Sequence, residues 1–194
     1  MNLNDLRDKA YQCAVAHGWH EENLSGEHFL CLVISELMEA VEAERIGRHA
    51  NRCQFENQNS VEIKEYPKEG DDIFVFCFKE YIKDSVEDEL ADACIRLLDL
   101  AGLRNVDLGE ITLDELKCPE GSFDWTFTES MFFLVCNMTN TDFIETHSFD
   151  SYLRVALMEI MSFCVKKNID IFWFIEQKMK YNELRPFMHG GKAY

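Results

Sequence analysis

With 194 residues, the chain is long enough for one domain with a sizeable hydrophobic core and short for two. Hydrophobic residues make up 47% of it and charged residues 28%, proportions that are typical of a folded globular protein and too apolar for intrinsic disorder. The formal net charge of -17 would repel a phosphate backbone, which argues against binding to a nucleic-acid polymer. We therefore predict a single domain over residues 1–194.

The distribution of apolar residues and cysteines bears on the cellular compartment. No stretch approaches the roughly 18 uncharged apolar residues of a membrane-spanning helix, and the polar N-terminal residues do not resemble a signal peptide. The eight cysteines never occur as Cys-x-x-Cys and mostly fall in apolar segments, which predicts buried thiols rather than a zinc site or a disulfide framework. We expect a cytoplasmic protein with no membrane association.

Hydrophobic periodicity predicts an all-α fold. The chain has only three prolines, and its glycines lie mainly between periodic segments, as expected when helices are interrupted only at their ends. Thr112 and Thr126 each precede a glutamate at capping-box spacing, Asp150 and Asp170 can accept from first-turn amides, and Gly102 suits a helix end. The predicted helices span 4–17, 27–46, 78–102, 127–139, 150–167 and 170–184, with a short helical turn at 112–117.

Residues 48–77 form the least regular part of the sequence. They begin with a polar stretch that contains a proline and a glycine, which predicts a long connection inserted between the second and third helices. The apolar run from Ile73 to Phe78 fits either a buried strand or the start of the third helix. We favour the helix, because one helical face continues through Phe74, Phe78, Ile82, Val86, Leu90 and Leu97.

Two of the predicted helices each carry a pair of carboxylates three residues apart. The second helix has Glu36 and Glu39, and the third has Glu89 and Asp92. This spacing places the two members of a pair side by side on one helix face, where like charges cost stability. Neither pair has a lysine four residues further on that would compensate the charge.

Two interpretations of these pairs are open. In a chain with 36 acidic residues, both can be ordinary solvated helix faces. Glu36, however, lies between Val33 and Ala40 on its helical stripe, and a carboxylate among apolar neighbours needs a partner. If the two helices pack antiparallel, the four carboxylates converge and offer the oxygen ligands that magnesium or manganese prefers. A di-iron site is disfavoured, because no histidine follows a glutamate at Glu-x-x-His spacing.

The two acidic helices resemble the MazG-like family of all-α nucleoside triphosphate pyrophosphohydrolases, whose signature is a Glu-Glu-x-x-Glu helix followed by a Glu-x-x-Asp helix. The resemblance implies a MazG-like helical bundle in which Glu36, Glu39, Glu89 and Asp92 bind Mg2+ or Mn2+, and in which Glu36 or Glu39 is the catalytic base. The chain departs from the family at Ser35, which replaces the first glutamate of the doublet, and in the length of the insertion at 48–77.

A second resemblance lies near the C-terminus. Lys178, Asn182 and Arg185 reproduce a Lys-x-x-x-Asn-x-x-Lys/Arg pattern that contributes to substrate binding in the family. Lysine and arginine on one helix face suit phosphate oxygens, although a solvated helix end with favourable dipole charges is the alternative. Trp19, ahead of the second helix, is a candidate for stacking on the base, with simple packing as its alternative.

The resemblance implies a reaction as well as a site. The expected enzyme cleaves a nucleoside triphosphate between its α- and β-phosphates, gives the monophosphate and pyrophosphate, and forms a homodimer or homotetramer. Two other hypotheses are a catalytically silent helical module that binds nucleotide or protein, and an enzyme similar to phosphoribosyl-ATP pyrophosphohydrolases. The sequence leaves the preferred base and sugar open.

Overall fold

The computed structural model describes residues 1–140 and 148–187, and these ranges are helical, with no strand. The prediction of an all-α fold is therefore confirmed. None of the helices in the described ranges has both the length and the apolar character needed to cross a membrane. The α-helices are α1 (Leu3–Ala16), α2 (Gly26–Arg45), α3 (Arg52–Glu65), α4 (Gly70–Tyr81), α5 (Val86–Leu103), α6 (Phe127–Met138), α7 (Phe149–Lys166) and α8 (Ile171–Glu183).

Side-chain caps fix where several helices begin. Thr126 and Glu129 form the predicted reciprocal capping box at the start of α6, and Asp170 accepts from a first-turn amide of α8, as predicted. The expected cap of α7 is wrong, because Ser148 accepts the amide hydrogen bond and Asp150 lies within the first turn. Each cap satisfies an amide that has no partner inside its helix, so local sequence sets these boundaries.

The predicted helix over 78–102 is divided into two. The chain leaves α4 at Tyr81 and starts α5 at Val86, with Asp84 in the left-handed region at φ 60°. Ser85 then caps α5 by accepting from the amide of Asp88. The periodicity concealed this break because both helices bury the same stripe against the core. All six residues of that predicted face are buried: Phe74, Phe78, Ile82, Val86, Leu90 and Leu97.

The segment 48–77 is helical rather than an irregular connection. It contains α3, a short 3-10 helix at Pro67–Glu69 and most of α4, which confirms the helical interpretation of the run that starts at Ile73. Of the fourteen residues of α3, all of which the structure describes, only Phe55 is buried. The sequence hid this helix because a segment with one buried side chain has almost no apolar periodicity.

Two smaller expectations also fail. Residues 113–116 form a turn rather than a helix, although Thr112 and Glu115 exchange the hydrogen bonds of a capping box. All eight cysteines are free thiols, but the expectation that they are buried holds only for Cys77, Cys94 and Cys164. Three others are exposed, namely Cys31, Cys53 and Cys136.

α5 is the central helix of the core. It packs against α1, α2, α7 and α8, and its apolar side chains are almost completely buried. Residues later in α2 contact residues earlier in α5. Glu36, in the middle of α2, bonds to Arg96, whereas the carbonyl of Arg48, just beyond α2, accepts from the amide of Val86 at 3.1 Å. The two acidic helices are thus antiparallel neighbours.

Gly102 lies in the last turn of α5, one residue before its end, and permits close contact with α1. A Cβ at this position would lie 2.5 Å from the Cβ of Tyr11 and 3.3 Å from the carbonyl oxygen of Arg7. We expect Gly102→Ala to lower the free energy of unfolding by about 2 kcal/mol, because overpacking against α1 exceeds the gain of about 1 kcal/mol in helix propensity. Urea denaturation measures the difference.

Gly70→Ala is the matched control. This helical glycine has ordinary helical geometry, and its nearest neighbour would lie 3.9 Å from the added Cβ. The control should be as stable as the wild type or slightly more stable. A Gly102→Ala variant with the wild-type denaturation midpoint would show that α1 and α5 are not in close contact here.

Candidate metal centre

Three carboxylates from α2 and α5 meet between the antiparallel helices. Glu36, Glu89 and Asp92 each offer an oxygen atom, and these atoms lie within 4.8 Å of one another. Glu36 and Glu89 are 5% exposed, and Asp92 is half-buried. Ligand oxygens on opposite sides of a magnesium ion are about 4.2 Å apart, so side chains within this 4.8 Å limit need only small movements to share a divalent cation. The structure brings together three of the four carboxylates that the spacing singled out.

Glu39, the fourth predicted ligand, lies at the edge of this group. Its side chain is exposed, and it accepts a long hydrogen bond of 3.4 Å from the hydroxyl of Ser35. Its negative charge still reaches Glu36, where it helps to raise the pKa. Ser35, which stands where the MazG-like signature has its first glutamate, is the residue that donates this hydrogen bond.

Burial perturbs the ionisation of the two buried glutamates. Burial, followed by repulsion from Asp88, raises the pKa of Glu89 to about 9, and nearby Lys178 opposes this rise. Burial and the charge of Asp92 raise the pKa of Glu36, against the attraction of Arg96. The cause is the cost of holding like charges together out of water. A cation bound among these carboxylates would relieve that cost.

Arg96 is a member of the site that the sequence analysis missed. Its Nε donates to Glu36 at 2.5 Å, and its side chain is partly exposed. Arg96 follows Asp92 by four residues, the spacing at which oppositely charged side chains meet on a helix. This spacing could have predicted the proximity of Arg96 to Asp92. It could not have predicted the contact of Arg96 with Glu36, which lies on another helix.

Lys178 lies on α8, as predicted, and is buried beside the carboxylates. Its ammonium is buried and donates to Asp88 at 2.8 Å, and it lies 2.7 Å from an oxygen of Asp92. Asp88 is 1% exposed and also accepts from the amide of Asp84 at 2.9 Å. Asp88 was not among the predicted ligands, because nothing local distinguishes it from its acidic neighbours. It belongs with Asp84 and Glu89 to a second group of carboxylates.

The other predicted substrate residues lie on α8, just after it, and in the loop after α1. Asn182 is half-buried on α8, one turn beyond Lys178, and Arg185 follows the end of α8 with its guanidinium 5.8 Å from the ring centre of Tyr181. Trp19 is half-buried in the loop after α1. Lys178 is thus the one predicted substrate residue whose described contacts reach a predicted metal ligand.

A cavity of about 390 Å³ lies elsewhere, between the loop before α6 and the helices α6 and α7. Its walls include Trp125, Phe133 and Glu159, and Glu159 already accepts a hydrogen bond from Asn137 at 2.9 Å. It shares no lining residue with the carboxylate group. Size alone does not identify a reactive site, so we place the chemistry where several perturbed acidic groups converge.

The raised pKa of Glu89 predicts how the metal-free protein responds to pH. The folded pKa of about 9 lies above the ordinary 4.5, so the folded state binds more protons than the unfolded state between these values. This stabilising contribution is complete below the lower value and is lost as pH rises through the upper one. We expect the melting temperature in EDTA to fall across this range, and to fall less in Glu89→Gln.

Thermal unfolding of both proteins in EDTA, followed by circular dichroism across that pH range, measures the effect. Asp88 and Glu36 have raised pKa values and act in the same direction, so the glutamine variant should retain part of the slope. Identical slopes in the two proteins would contradict the prediction for Glu89.

No family model matches the chain, and no curated protein or solved structure matches it either.

Proposed function

We propose that this protein is a magnesium-dependent nucleoside triphosphate pyrophosphohydrolase with a MazG-like arrangement of helices. It would cleave between the α- and β-phosphates and release a nucleoside monophosphate and pyrophosphate. The observation that supports the proposal is the convergence of Glu36, Glu89 and Asp92 from two antiparallel helices. Lys178, which would contact phosphate, lies beside Asp92.

The chemistry of the donor set fits magnesium or manganese. The group consists of carboxylate oxygens, which are the ligands that these hard cations prefer. One oxygen of Asp88 is buried and has no hydrogen-bond partner in the described part of the chain, which is costly unless a cation or a polar group approaches it. Glu36, Glu89 and Asp92 would hold the ion, with Glu39 added from the exposed edge.

Bound at this position, Mg2+ supplies neutralisation of phosphate charge and acidification of a water molecule. Glu36 is buried and already accepts from Arg96, whereas Glu39 is exposed and accessible to a water molecule. We therefore assign Glu39 to orient the attacking water and to take its proton, with Glu36 as the alternative base. The water oxygen forms a bond to phosphorus while the bond from that phosphorus to the α,β-bridging oxygen breaks.

The remaining roles follow from charge and shape. Lys178 and Arg185 would offset the negative charge of the phosphates, and Asn182 would add a hydrogen bond. Trp19 would stack on the base. We also propose a homodimer or homotetramer, since apolar side chains are exposed near the end of α3 at Val61 and Tyr66.

The test is a substrate panel of standard and modified NTPs and dNTPs together with phosphoribosyl-ATP, with and without Mg2+ or Mn2+. We expect metal-dependent release of pyrophosphate from at least one member, and loss of that release in Glu39→Gln. Preference for phosphoribosyl-ATP would favour the related hydrolase. Absence of release from every member, or release of orthophosphate alone, would contradict the proposal. Binding of a nucleotide without turnover would favour the silent helical module.

A further inference from the structure

We infer that Lys178 is an internal counter-cation of the carboxylate site, which leaves Asp92 when a divalent cation binds and then becomes available to phosphate, with Asp88 as its anchor. This inference rests on the proposed function and deepens it. Movement of this one side chain would thus couple metal binding to phosphate binding.

The contacts of Lys178 place its charge where a metal would be held. Its ammonium lies 2.7 Å from an oxygen of Asp92, and that residue is also in the group with Glu36 and Glu89. The lysine is 4% exposed, so this pairing takes place away from bulk water, where charge interactions are strong. A divalent cation bound by Asp92 and the ammonium would repel each other at close range.

Asp88 is suited to hold Lys178 after it leaves Asp92. It accepts from the ammonium at 2.8 Å, and the same oxygen is fixed by the amide of Asp84. Its other oxygen is buried without a hydrogen-bond partner among the described residues, so it can accept from the ammonium in a rotated position. The lysine can therefore change its second partner without becoming unpaired.

Asn182 provides a second acceptor on the same helix. It lies four residues after Lys178, and side chains at this spacing are neighbours on one helix face. Its amide oxygen is also buried without a hydrogen-bond partner in the described ranges. The ring centre of Phe78 lies 5.8 Å from the ammonium and bounds the space in which it turns. Lysine, asparagine and phosphate would then meet on the face of α8 that the sequence pattern indicated.

The experiment measures two affinities in the full-length, EDTA-stripped protein. Mn2+ binding is followed by electron paramagnetic resonance, and binding of inorganic pyrophosphate at saturating Mn2+ is followed by calorimetry. In Lys178→Met we expect Mn2+ to bind at least roughly tenfold more tightly, because a nearby positive charge is removed. We expect pyrophosphate to bind at least roughly tenfold more weakly, because that charge no longer reaches it. A purely structural role for the lysine would weaken both.

Lys180→Met is the matched control. Lys180 lies on the same helix with an exposed side chain, and its ammonium is 4.1 Å from the ring centre of Phe74, so its removal should leave both affinities unchanged. If the methionine variant does not fold, Lys178→Gln replaces it. This variant keeps a hydrogen-bond donor toward Asp88 but has no charge, and it should give the same two shifts.

Glu89→Gln distinguishes failure of the proposed lysine exchange from failure of the metal site itself. If Glu89→Gln weakens Mn2+ binding but the Lys178 variants bind Mn2+ no more tightly than the wild type, the role of Lys178 is wrong and the metal site stands. If neither the wild type nor the Lys178 variants bind Mn2+, the metal site itself is wrong. Binding of Mn2+ by the Lys178 variants but not by the wild type would be the strongest support for the exchange.

Discussion

Glu89→Gln is expected to lower magnesium-dependent release of pyrophosphate by at least roughly 100-fold, because it removes a negative ligand from the centre of the site. Glu89 contributes to both groups of carboxylates, and it is 5% exposed, so no water-facing side chain replaces it readily. Steady-state kinetics on the best substrate of the panel, over a range of Mg2+ concentrations, measure the loss. Extra Mg2+ should restore little of it.

The same variant should fold normally without metal. Burial raises the pKa of Glu89 to about 9, so at neutral pH in EDTA the wild-type side chain is a neutral acid. Glutamine has the same shape and no charge, whereas Glu89 ionises when the wild type unfolds at neutral pH, so the variant should melt at least as high as the wild type in EDTA. Loss of activity without a lower melting temperature would assign the effect to the site rather than to the fold.

Glu42→Gln is the control for the charge itself. Glu42 also lies on α2, but its side chain is exposed and pairs with Arg45 at 2.8 Å on the surface. An exposed pair of this kind contributes little to stability, and its loss should leave turnover unchanged. Equal losses in Glu42→Gln and Glu89→Gln would contradict a specific role for the converging carboxylates.

Phe55→Ala is expected to lower the free energy of unfolding by about 3–5 kcal/mol, the range for removing a buried phenylalanine. Its ring packs edge-on against Phe74, Phe78 and Trp173, with ring centres 5.6 to 6.5 Å apart. Because Phe55 is the single buried residue of α3, this helix should loosen first. Thermal unfolding measures the total cost, and hydrogen exchange over residues 52–65 locates it.

Phe76→Ala is the comparison within the same segment, residues 48–77. Phe76 lies on α4 and is 54% exposed, so its removal leaves no cavity and should change stability little. If hydrogen exchange in α3 were as slow in Phe55→Ala as in the wild type, a contact other than Phe55 would hold this helix against the core. The best alternative is Arg52, which pairs with Asp170 at 2.9 Å and lies over the ring of Trp173.

The positions of α2 and α5 and the buried environment of Glu36 could be predicted because they depend on residues three and four positions apart. Val33 and Ala40 are buried on either side of Glu36, as the helical stripe required. The division of the third predicted helix could not be found in this way. Periodicity reports which face is buried, and that face continues through the turn at Asp84, so the left-handed residue left no apolar signature.

The sequence by itself determined the all-α architecture, the caps of α6 and α8, and the two carboxylate pairs, because these arise from neighbours along the chain. Only the tertiary structure decided that Glu39 lies at the edge of the group, that Arg96 meets Glu36, and that Lys178 pairs with Asp92. The contact from Lys178 to Asp88 spans 90 residues of sequence. Such pairings depend on how the helices pack around α5. Because a buried charge without a partner costs free energy, these buried charged side chains are held against oppositely charged ones.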